Sequence, residues 1–470
     1  MPVSPTYEPA PRITTLGDGY YDEVTAARFP RLTLRFRNQR WAERVGLGAL
    51  DETEWAAHFA GFEPLPGNLT KPLALRYHGH QFDVYNPGLG DGRGFLFAQL
   101  RDDAGRLLDL GTKGSGTTPW SRGGDGRLTL KGGVREVLAT EMLEALGLNT
   151  SKSLSLFETG EPLQRGDEPS PTRSSVLVRL SHSHLRIGTF QRLAFDQDRA
   201  RLERLVDYAI DHYFPALKGS PDRVSRFFAE VCRATIALCA GTMVCGFVHG
   251  VLNSDNATVT AESFDYGPYR FLPEYDPDFV AAYFDHGGLY SYGHQPRAFL
   301  RNLMRLGEAL RPVEPQIAVG PLLADFGVRL EQEMSKRIVA RLGLVSDPDL
   351  DAALAEAVFG FLAAKPIGFE RFFFDLAGGL QREARALSGT AKENYAGAAW
   401  DELRRLLALY QPAAAELPAY FDRNEGPCTL LIDEIEALWS AIAERDDWAP
   451  FEKKIVAIRA MGAAQKALGA

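Results

Sequence analysis

The chain has 470 residues, of which 45% are hydrophobic and 24% charged, and its formal net charge is −9. This length exceeds what one hydrophobic core usually organises, so two lobes or domains are expected. The acidic balance argues against non-specific binding to nucleic acid or to an anionic membrane. No uninterrupted apolar run approaches the roughly 18–20 residues of a membrane span.

The N-terminal segment and the cysteines indicate the cellular compartment of the protein. The N-terminal segment has neither the basic start nor the apolar core of a signal peptide. The four cysteines form no CxxC pair, so we expect free, mostly buried thiols in a reducing compartment. We therefore expect a cytoplasmic protein, and the excess of arginine over lysine together with Ala-rich helices suggests a bacterial source.

Short strands and Gly-rich turns dominate the N-terminal third of the chain. The apolar segments 94–100 and 106–113 flank the turn RDDAG and predict a β-hairpin. A Gly/Ser/Arg-rich stretch follows at 113–127. The helical period of 134–147 then predicts a helix that ends at Gly147.

Helices dominate the rest of the chain. A polar, Pro-rich segment at 164–173 predicts a loop or hinge, and 174–180 predicts another strand. The stretch 247–296 is irregular, and long irregular segments inside a compact domain are often functional. Helical periods predict helices at 199–214, 222–245, 297–309, 321–342, 349–363, 395–410 and 431–444. This order predicts an α+β protein with a small β-rich lobe followed by a large helical lobe.

A Gly-rich loop, PGLGDGRGF at 87–95, directly precedes a predicted strand. Its alternating glycines would let a phosphate approach the backbone N–H groups. Arg93 adds a guanidinium that suits an anion. The spacing does not match GxGxxG, so an ordinary surface turn remains the alternative.

A lysine and a glutamate form the second candidate. Lys113 ends a predicted strand, and Glu136 lies near the start of the next predicted helix. In kinase-like folds a strand lysine contacts the nucleotide phosphates and pairs with a helix glutamate. The alternative is an exposed lysine and an unrelated, solvated glutamate.

Three weaker signals lie nearby. The segment GDGR at 124–127 has the composition of a surface turn. Arg179 and Arg186 could clamp phosphate bidentately, although surface arginines usually contribute little. His182 and His184 lie two residues apart, but no third ligand is near in sequence, so we do not expect a metal site there.

The loop HGVLNSDN at 249–256 resembles the one in which small-molecule kinases keep their catalytic base, with Val251 where many have aspartate. Asn256 and Asp265 match the Asn and Asp with which kinases hold magnesium, and such oxygen ligands suit Mg²⁺ or Mn²⁺. Since valine cannot accept a proton, Asp255 is the nearest carboxylate that could. Five elements thus occur in the order found in kinases: a Gly-rich loop, a strand lysine, a helix glutamate, a catalytic loop and a metal-binding aspartate. This order is more specific than any one of them alone.

At these residues the sequence resembles the selenoprotein O family, called YdiU in bacteria. The resemblance implies a protein-kinase-like, two-lobed fold that binds ATP in a flipped orientation. It implies transfer of AMP to Ser, Thr or Tyr hydroxyls of proteins, and the chain itself is among the candidate acceptors. No nucleic-acid or membrane partner is expected, in keeping with the acidic charge balance. The matching segments, over roughly 75–296, are YHGHQFDVYNPGLGDGRG, LDLGTKGSGTTPWSRGGDGR, VREVLATEMLEALG, LVRLSHSHLRIGTF, GFVHGVLNSDN, FDYGPYRFL and YSYGHQP.

The resemblance also implies a role for each site residue. Asp255 is the proton acceptor, Glu136 pairs with Lys113, and Asn256 with Asp265 holds Mg²⁺ or Mn²⁺. The residues that surround ATP are Gly90, Gly92, Arg93, Lys113, Asp125, Gly126, Arg179 and Arg186. We expect an N-terminal extension at 1–75, a kinase-like N-lobe at 76–173 and a helical C-lobe with the catalytic loop at 174–470.

Two other functions stay open at this point. A conventional ATP-dependent phosphotransferase is disfavoured by Val251, and a non-catalytic nucleotide-binding scaffold by the complete set of base and metal ligands. The chain ends in MGAAQKALGA, without the near-C-terminal selenocysteine or cysteine of eukaryotic members of the family. Redox control through a terminal thiol is therefore not expected.

Overall fold

A computed structural model describes residues 4–423 and 425–469. Most strands lie in the first 181 residues. They are β1 (Glu8–Pro9), β2 (Tyr21–Glu23), β3 (Thr33–Arg37), β4 (Leu73–Leu75), β5 (Gly79–Gln81), β6 (Val84–Asn86), β7 (Leu96–Arg101), β8 (Leu107–Lys113), β9 (Leu128–Thr129), β10 (Lys152–Leu163) and β11 (Thr172–Ser181), followed later by β12 (Phe247–Val248) and β13 (Arg270–Phe271).

One antiparallel sheet organises this half. Its order is β2-β4-β7-β8-β11-β10-β3, with β1 on β7 and β9 on β11. Strands β5 and β6 form a separate hairpin, and β12 pairs with β13. Side chains alternate between the two sheet faces, so Leu177 joins the core beneath α3 while Val176 and Val178 join a second core with Trp41 and Trp55.

The predicted hairpin is confirmed as β7 and β8. The Asp102 carboxylate accepts hydrogen bonds from the backbone N–H groups of Ala104 and Arg106, at 3.1 and 2.8 Å. Gly105 takes a left-handed conformation, with a φ of +74°, that favours glycine. The turn is thus fixed locally, which explains why its sequence alone indicated it.

Helices make up most of the remainder. They are α1 (Gln39–Arg44), α2 (Glu52–Phe59), α3 (Leu130–Ala145), α4 (Ile187–Phe195), α5 (Arg199–Tyr213), α6 (Arg223–Val244), α7 (Gln295–Leu310), α8 (Val319–Leu323), α9 (Phe326–Arg341), α10 (Asp351–Ala364), α11 (Phe369–Asp375), α12 (Glu383–Ser388), α13 (Ala398–Leu407), α14 (Ala419–Arg423), α15 (Ile432–Arg445) and α16 (Ala449–Leu468).

Helix α3 connects the sheet to the helical part. The Thr129 hydroxyl caps its N-terminus by accepting from the Gly132 N–H at 3.1 Å. Most of its length is buried, and it packs on β10, β11 and α16. Gly147, with φ +76°, follows its end as predicted.

Helix α6 is long and apolar enough to cross a membrane by length and composition. However, 72% of its most apolar window is buried inside the protein. Cys232 and Cys239 lie within this helix, and Cys245 follows it; all three are buried free thiols, whereas Cys428 is half-buried. These features fit a core helix.

The predicted α+β class is confirmed, with a β-rich N-terminal part and a largely helical remainder. An ion pair joins strand β8 to helix α3, as expected for a kinase-like fold. The proposed division at 75 and 173 stays a prediction. The sheet crosses both boundaries, because β3 pairs with β10 and β11 pairs with β8. Residues 174–181, which that division assigns to the helical lobe, therefore lie in the sheet.

Candidate active site

A cavity of about 640 Å³ opens between the sheet, the two Gly-rich loops at 87–95 and 113–127, and the loop 249–256. Eleven of the twelve site residues predicted from sequence line it, and the twelfth, Glu136, contacts Lys113 from α3. The eleven are Gly90, Gly92, Arg93, Lys113, Asp125, Gly126, Arg179, Arg186, Asp255, Asn256 and Asp265.

The cavity is positively charged although the chain is acidic. Seven cationic side chains and four carboxylates line it, an excess of three positive charges, in a chain of net charge −9. Such a concentration of arginine favours polyanionic ligands such as phosphates. The cations are Arg93, Lys113, Arg122, Arg127, Arg165, Arg179 and Arg186.

The two Gly-rich loops touch each other above the cavity. The Ser121 hydroxyl donates to the Gly92 carbonyl at 2.5 Å, and the Thr118 hydroxyl bonds the Asp91 carbonyl. A Cβ on Gly90 would lie 2.4 Å from the Trp120 ring. Glycine is required here because the loops approach closely, which supports a built structure and not a mere surface turn.

Strand register brings Lys113 and Arg179 together. Leu177 lies opposite Lys113, and Arg179 lies opposite Gly111. Cross-strand partners share a face, so both cations point to the α3 side of the sheet. Both are buried, with 5% and 4% of their surface exposed.

Lys113 and Arg179 meet at Asp265. The Lys113 ammonium bonds Glu136 and also donates to Asp265 Oδ1 at 2.6 Å, and Arg179 donates to the same oxygen at 3.3 Å. Burial alone would raise the pKa of Asp265, but Lys113, Arg179 and more distant arginines hold it well below its ordinary value. Asp265 is therefore an anion throughout the physiological pH range.

Arg186 connects the Gly-rich loop to the loop 249–256. Its guanidinium donates to Asp91 Oδ1 and to the Asp255 carbonyl, both at 3.1 Å. It also lies 4.0 Å from the centre of the Tyr77 ring. Buried and partnered on three sides, Arg186 presents a fixed charge to the cavity.

Hydrogen bonds order the loop 249–256. His249 Nε2 donates to the Phe264 carbonyl at 2.9 Å, and its Nδ1 accepts from the Val251 N–H at 3.4 Å. Burial lowers the pKa of His249, which agrees with this neutral tautomer. The Asn256 amide nitrogen donates to the Val251 carbonyl at 3.1 Å, leaving the amide oxygen as the group that can ligate.

Asp255 combines the features of a general base. It lies in a short 3₁₀ turn, Ser254–Asn256, and is 8% exposed. Its Oδ2 accepts from Gln81, whereas Oδ1 is buried without a hydrogen-bond partner in residues 4–423 and 425–469. Burial raises its pKa, which moves it toward the range useful for accepting a proton.

The residues present suit a hard divalent cation. Asp265 supplies an anionic oxygen and Asn256 a neutral one, the ligand types that Mg²⁺ and Mn²⁺ prefer. Within the described ranges, no group of three or more His, Cys, Asp or Glu side chains is arranged for a metal. A cation here would therefore complete its shell with substrate phosphates and water, as magnesium commonly does.

Asp125 and Gly126 lie at the rim. Asp125 is exposed and accepts from Arg165 at 2.8 and 3.1 Å. A Cβ on Gly126, with φ +68°, would lie 2.2 Å from the backbone of Gly116. The turn lies just before this segment, at Arg122 and Gly123, and GDGR itself is irregular chain at the edge of the cavity, with Gly126 buried against Gly116.

Sequence reasoning missed several lining residues. Tyr77, Gln81 and Arg165 contact the predicted set but belong to no kinase-like motif. Asp91 lies in the Gly-rich loop, yet only the glycines and Arg93 of that loop were predicted to take part. Gln81 and Asp255 are 174 positions apart. The stretch YHGHQFD was noticed only as part of a longer resemblance, and its position against the loop 249–256 required the fold.

Comparison with known proteins gives a consistent result. The family model described as protein adenylyltransferase SelO matches residues 4–459. The chain is similar to the protein nucleotidyltransferase YdiU of Gloeobacter violaceus, 46% identical over 466 residues that cover 96% of this chain and 95% of that one. It is also similar to YdiU of Synechocystis, 44% identical over 465 residues, or 95% and 96% of the two chains.

Solved structures add little. The kinase domain of a Toxoplasma gondii specific rhoptry antigen is 10% identical, with a TM-score of 0.30 over 60% of this chain and 84% of that one. A likeness this low carries no argument about the fold.

Proposed function

The chain belongs to the protein adenylyltransferase SelO family and is a protein nucleotidyltransferase, and we propose that it transfers AMP from ATP to Ser, Thr or Tyr hydroxyls of bacterial cytoplasmic proteins. Family membership confirms the resemblance noted in the sequence. ATP as donor, the hydroxyl acceptors and the cellular location are parts of the proposal.

One observation carries the proposal. The cavity combines a strongly basic wall with a buried carboxylate, Asp255, of which one oxygen has no partner in the described parts of the chain. A kinase-like base is replaced by Val251, which lines the same cavity. A polyanionic donor and a hydroxyl acceptor can therefore meet at Asp255.

The reaction balances without another reactant. The acceptor hydroxyl oxygen attacks the α phosphorus of ATP, and its proton passes to Asp255 Oδ1. The bond from the α phosphorus to the oxygen bridging to the β phosphorus breaks. AMP stays on the protein, and pyrophosphate leaves.

The cations stabilise the leaving group. Pyrophosphate gains negative charge as the bridging bond breaks, and buried guanidinium and ammonium groups stabilise that charge without reorganising. We assign this role to Lys113, Arg179 and Arg186, with exposed Arg93 at the Gly-rich loop. Asp125 and Gly126 would border the nucleotide at the rim, and Gly90 and Gly92 would allow its close approach.

Asn256 and Asp265 would hold Mg²⁺ or Mn²⁺. Bound there, the ion would neutralise phosphate charge and orient the phosphates. Glu136 would keep Lys113 in place from α3. The pair agrees with the kinase-like pattern in which a helix glutamate positions a strand lysine.

The test is label transfer from ATP labelled on the α phosphate, in the presence of Mg²⁺ or Mn²⁺. The acceptors are the chain itself and a bacterial lysate. Asp255→Ala should lower the initial rate by about 100-fold or more, since general-base catalysis contributes about 10²–10⁴. Asp265→Ala should abolish transfer, because it removes the anionic metal ligand.

Asp349→Ala is the matched control, because Asp349 is an exposed carboxylate outside the cavity. It should transfer label as the unmodified chain does. Thermal unfolding would first show that both variants are folded. Full activity in Asp255→Ala or Asp265→Ala would then contradict the assigned roles.

A further inference from the structure

The β5–β6 hairpin is a part of the site that the proposed reaction has not yet used. Three of its residues contact the loop 249–256. The His80 N–H donates to the Ser254 hydroxyl at 2.9 Å, and the Phe82 N–H donates to Asn253 Oδ1 at 3.0 Å. Gln81 Nε2 donates to Asp255 Oδ2 at 3.2 Å. The hairpin thus holds three successive residues of the loop that carries the proposed base.

The turn of this hairpin is conformationally costly. Phe82 and Asp83 have φ values of +45° and +62°, a left-handed conformation that is rare for a bulky residue. The Asp83 carboxylate pairs with Arg305 and, at 3.2 Å, with Arg301 on α7, while the Phe82 ring packs on Tyr290. These contacts hold the turn in its strained conformation.

A chain of side-chain amides runs from the Gly-rich loop to Asp255. The Gly88 N–H donates to Asn86 Oδ1 at 3.0 Å, Asn86 Nδ2 donates to Gln81 Oε1 at 3.1 Å, and Gln81 Nε2 donates to Asp255. The chain begins at a backbone N–H, which can only donate, and ends at a carboxylate, which accepts. Both amides therefore have only one consistent orientation.

We propose that Gln81 is a positioning residue for Asp255, and that Asn86 fixes the orientation of Gln81; this rests on the proposed function of Asp255 as the base. Gln81 occupies Oδ2 of the carboxylate, so that Oδ1 is the oxygen left to take the acceptor proton. Asn86 directly precedes the Gly-rich loop, so the position of the base is coupled to the loop proposed to contact the nucleotide.

Gln81→Glu tests the donor directly, because it keeps the shape of the side chain and replaces its N–H₂ by a carboxylate oxygen. An ionised carboxylate cannot donate and repels Asp255. The initial rate of transfer from α-labelled ATP at saturating ATP should fall by roughly 10- to 100-fold, the scale of a misplaced catalytic group. The half-saturating ATP concentration should stay within about threefold, since the phosphate-binding cations are unchanged.

Asn86→Asp tests the same chain one link away from the base. The aspartate can still accept from the Gly88 N–H but cannot donate to Gln81, so the Gln81 amide loses its orientation. The initial rate of label transfer at saturating ATP should fall, as in Gln81→Glu. In the double variant the two losses should be clearly less than multiplicative, because both break one chain of hydrogen bonds.

Asp83→Asn is the control in the same hairpin. It weakens the ion pairs with Arg301 and Arg305, and asparagine tolerates the left-handed conformation. It should lower the unfolding temperature while leaving the rate at saturating ATP within about twofold of the unmodified chain. This separates holding the hairpin from orienting Asp255.

Three results would overturn the inference. One is a Gln81→Glu rate within threefold of the unmodified chain. Another is a rate loss in Gln81→Glu, Asn86→Asp and Asp83→Asn alike that follows their unfolding temperatures, which would indicate a merely structural hairpin. The third is that the unmodified chain transfers no label. This result would contradict the proposed function itself, whereas the first two results would not.

Discussion

Lys113 is a buried residue with two carboxylate partners, Glu136 and Asp265. The Lys113–Glu136 pair has less than 10% of either side chain exposed, whereas Asp265 keeps 27%. A buried ion pair is a weak source of stability, but removing one partner leaves an uncompensated charge in the interior. The arrangement therefore suits the positioning of Lys113 for a ligand more than stabilisation of the fold.

Lys113→Met should destabilise the protein by about 3–5 kcal/mol, the usual cost of leaving a buried charge unpaired. Transfer should be lost as well, since the ammonium is no longer available to the phosphates. Thermal unfolding and label transfer from α-labelled ATP measure the two effects.

The double variant Lys113→Met/Glu136→Leu separates stability from activity. Replacing both partners by apolar groups is often neutral, so much of the lost stability should return while transfer stays absent. Recovery of transfer in the double variant would contradict the role given to Lys113.

At the scale of elements, the Gly-rich loop is bound tightly to strand β8. The Gly94 position is the sharpest case, because a Cβ there would lie 2.0 Å from the Thr112 carbonyl oxygen. Gly88, in the same loop, has only an ordinary contact of 3.4 Å to the side chain of Asn86. The loop is therefore closely packed against β8 where it enters β7, and less closely packed at Gly88, six residues earlier.

Gly94→Ala should destabilise the protein by about 1–3 kcal/mol or more, because the clash is with backbone and the two strands must move apart. Gly88→Ala is the matched control and should change stability by less than about 1 kcal/mol. Denaturant unfolding of both variants measures the difference, and equal stabilities would show that the loop approaches β8 less closely than described.

Elements with strong local signals were predictable, and those set by tertiary contacts were not. The β7–β8 hairpin carries its own turn chemistry in Asp102 and Gly105, and helix α3 is marked by its period and by Gly147. Strand β10 is different, because its twelve residues take their conformation from pairing with β3 and β11. The same holds for the partnership between β5 and the loop 249–256.

The chain returns to its own N-terminal half at its C-terminal end. Arg459 of α16 donates to both oxygens of Glu141 on α3, at 2.7 and 2.8 Å. Asp446, between α15 and α16, accepts from Arg173 of β11 at 2.7 Å. Helix α3, which carries Glu136, is thus held between the sheet and α16. Sequence periodicity predicted α15 but gave no sign of this contact.

For the whole molecule, the candidate site was more predictable than the architecture around it. Residues such as Lys113, Asn256 and Asp265 lie in short motifs whose chemistry can be inferred from residue type and order. Gln81 carries no such motif, and it joins Asp255 only because folding brings together residues 174 positions apart. The sequence did not point to Gln81, because the role proposed for it depends on a contact and not on its residue type.

We propose that AMP, and not phosphate, is the group that the protein transfers. The most direct measurement is parallel incubation with ATP labelled on the α or the γ phosphate, with Mg²⁺ or Mn²⁺, followed by detection of labelled protein. We predict label from the α phosphate only, and none from Asp265→Ala. Label from the γ phosphate only would rule out AMP transfer and indicate a conventional kinase. No label from either, with ATP still raising the unfolding temperature, would indicate a nucleotide-binding scaffold.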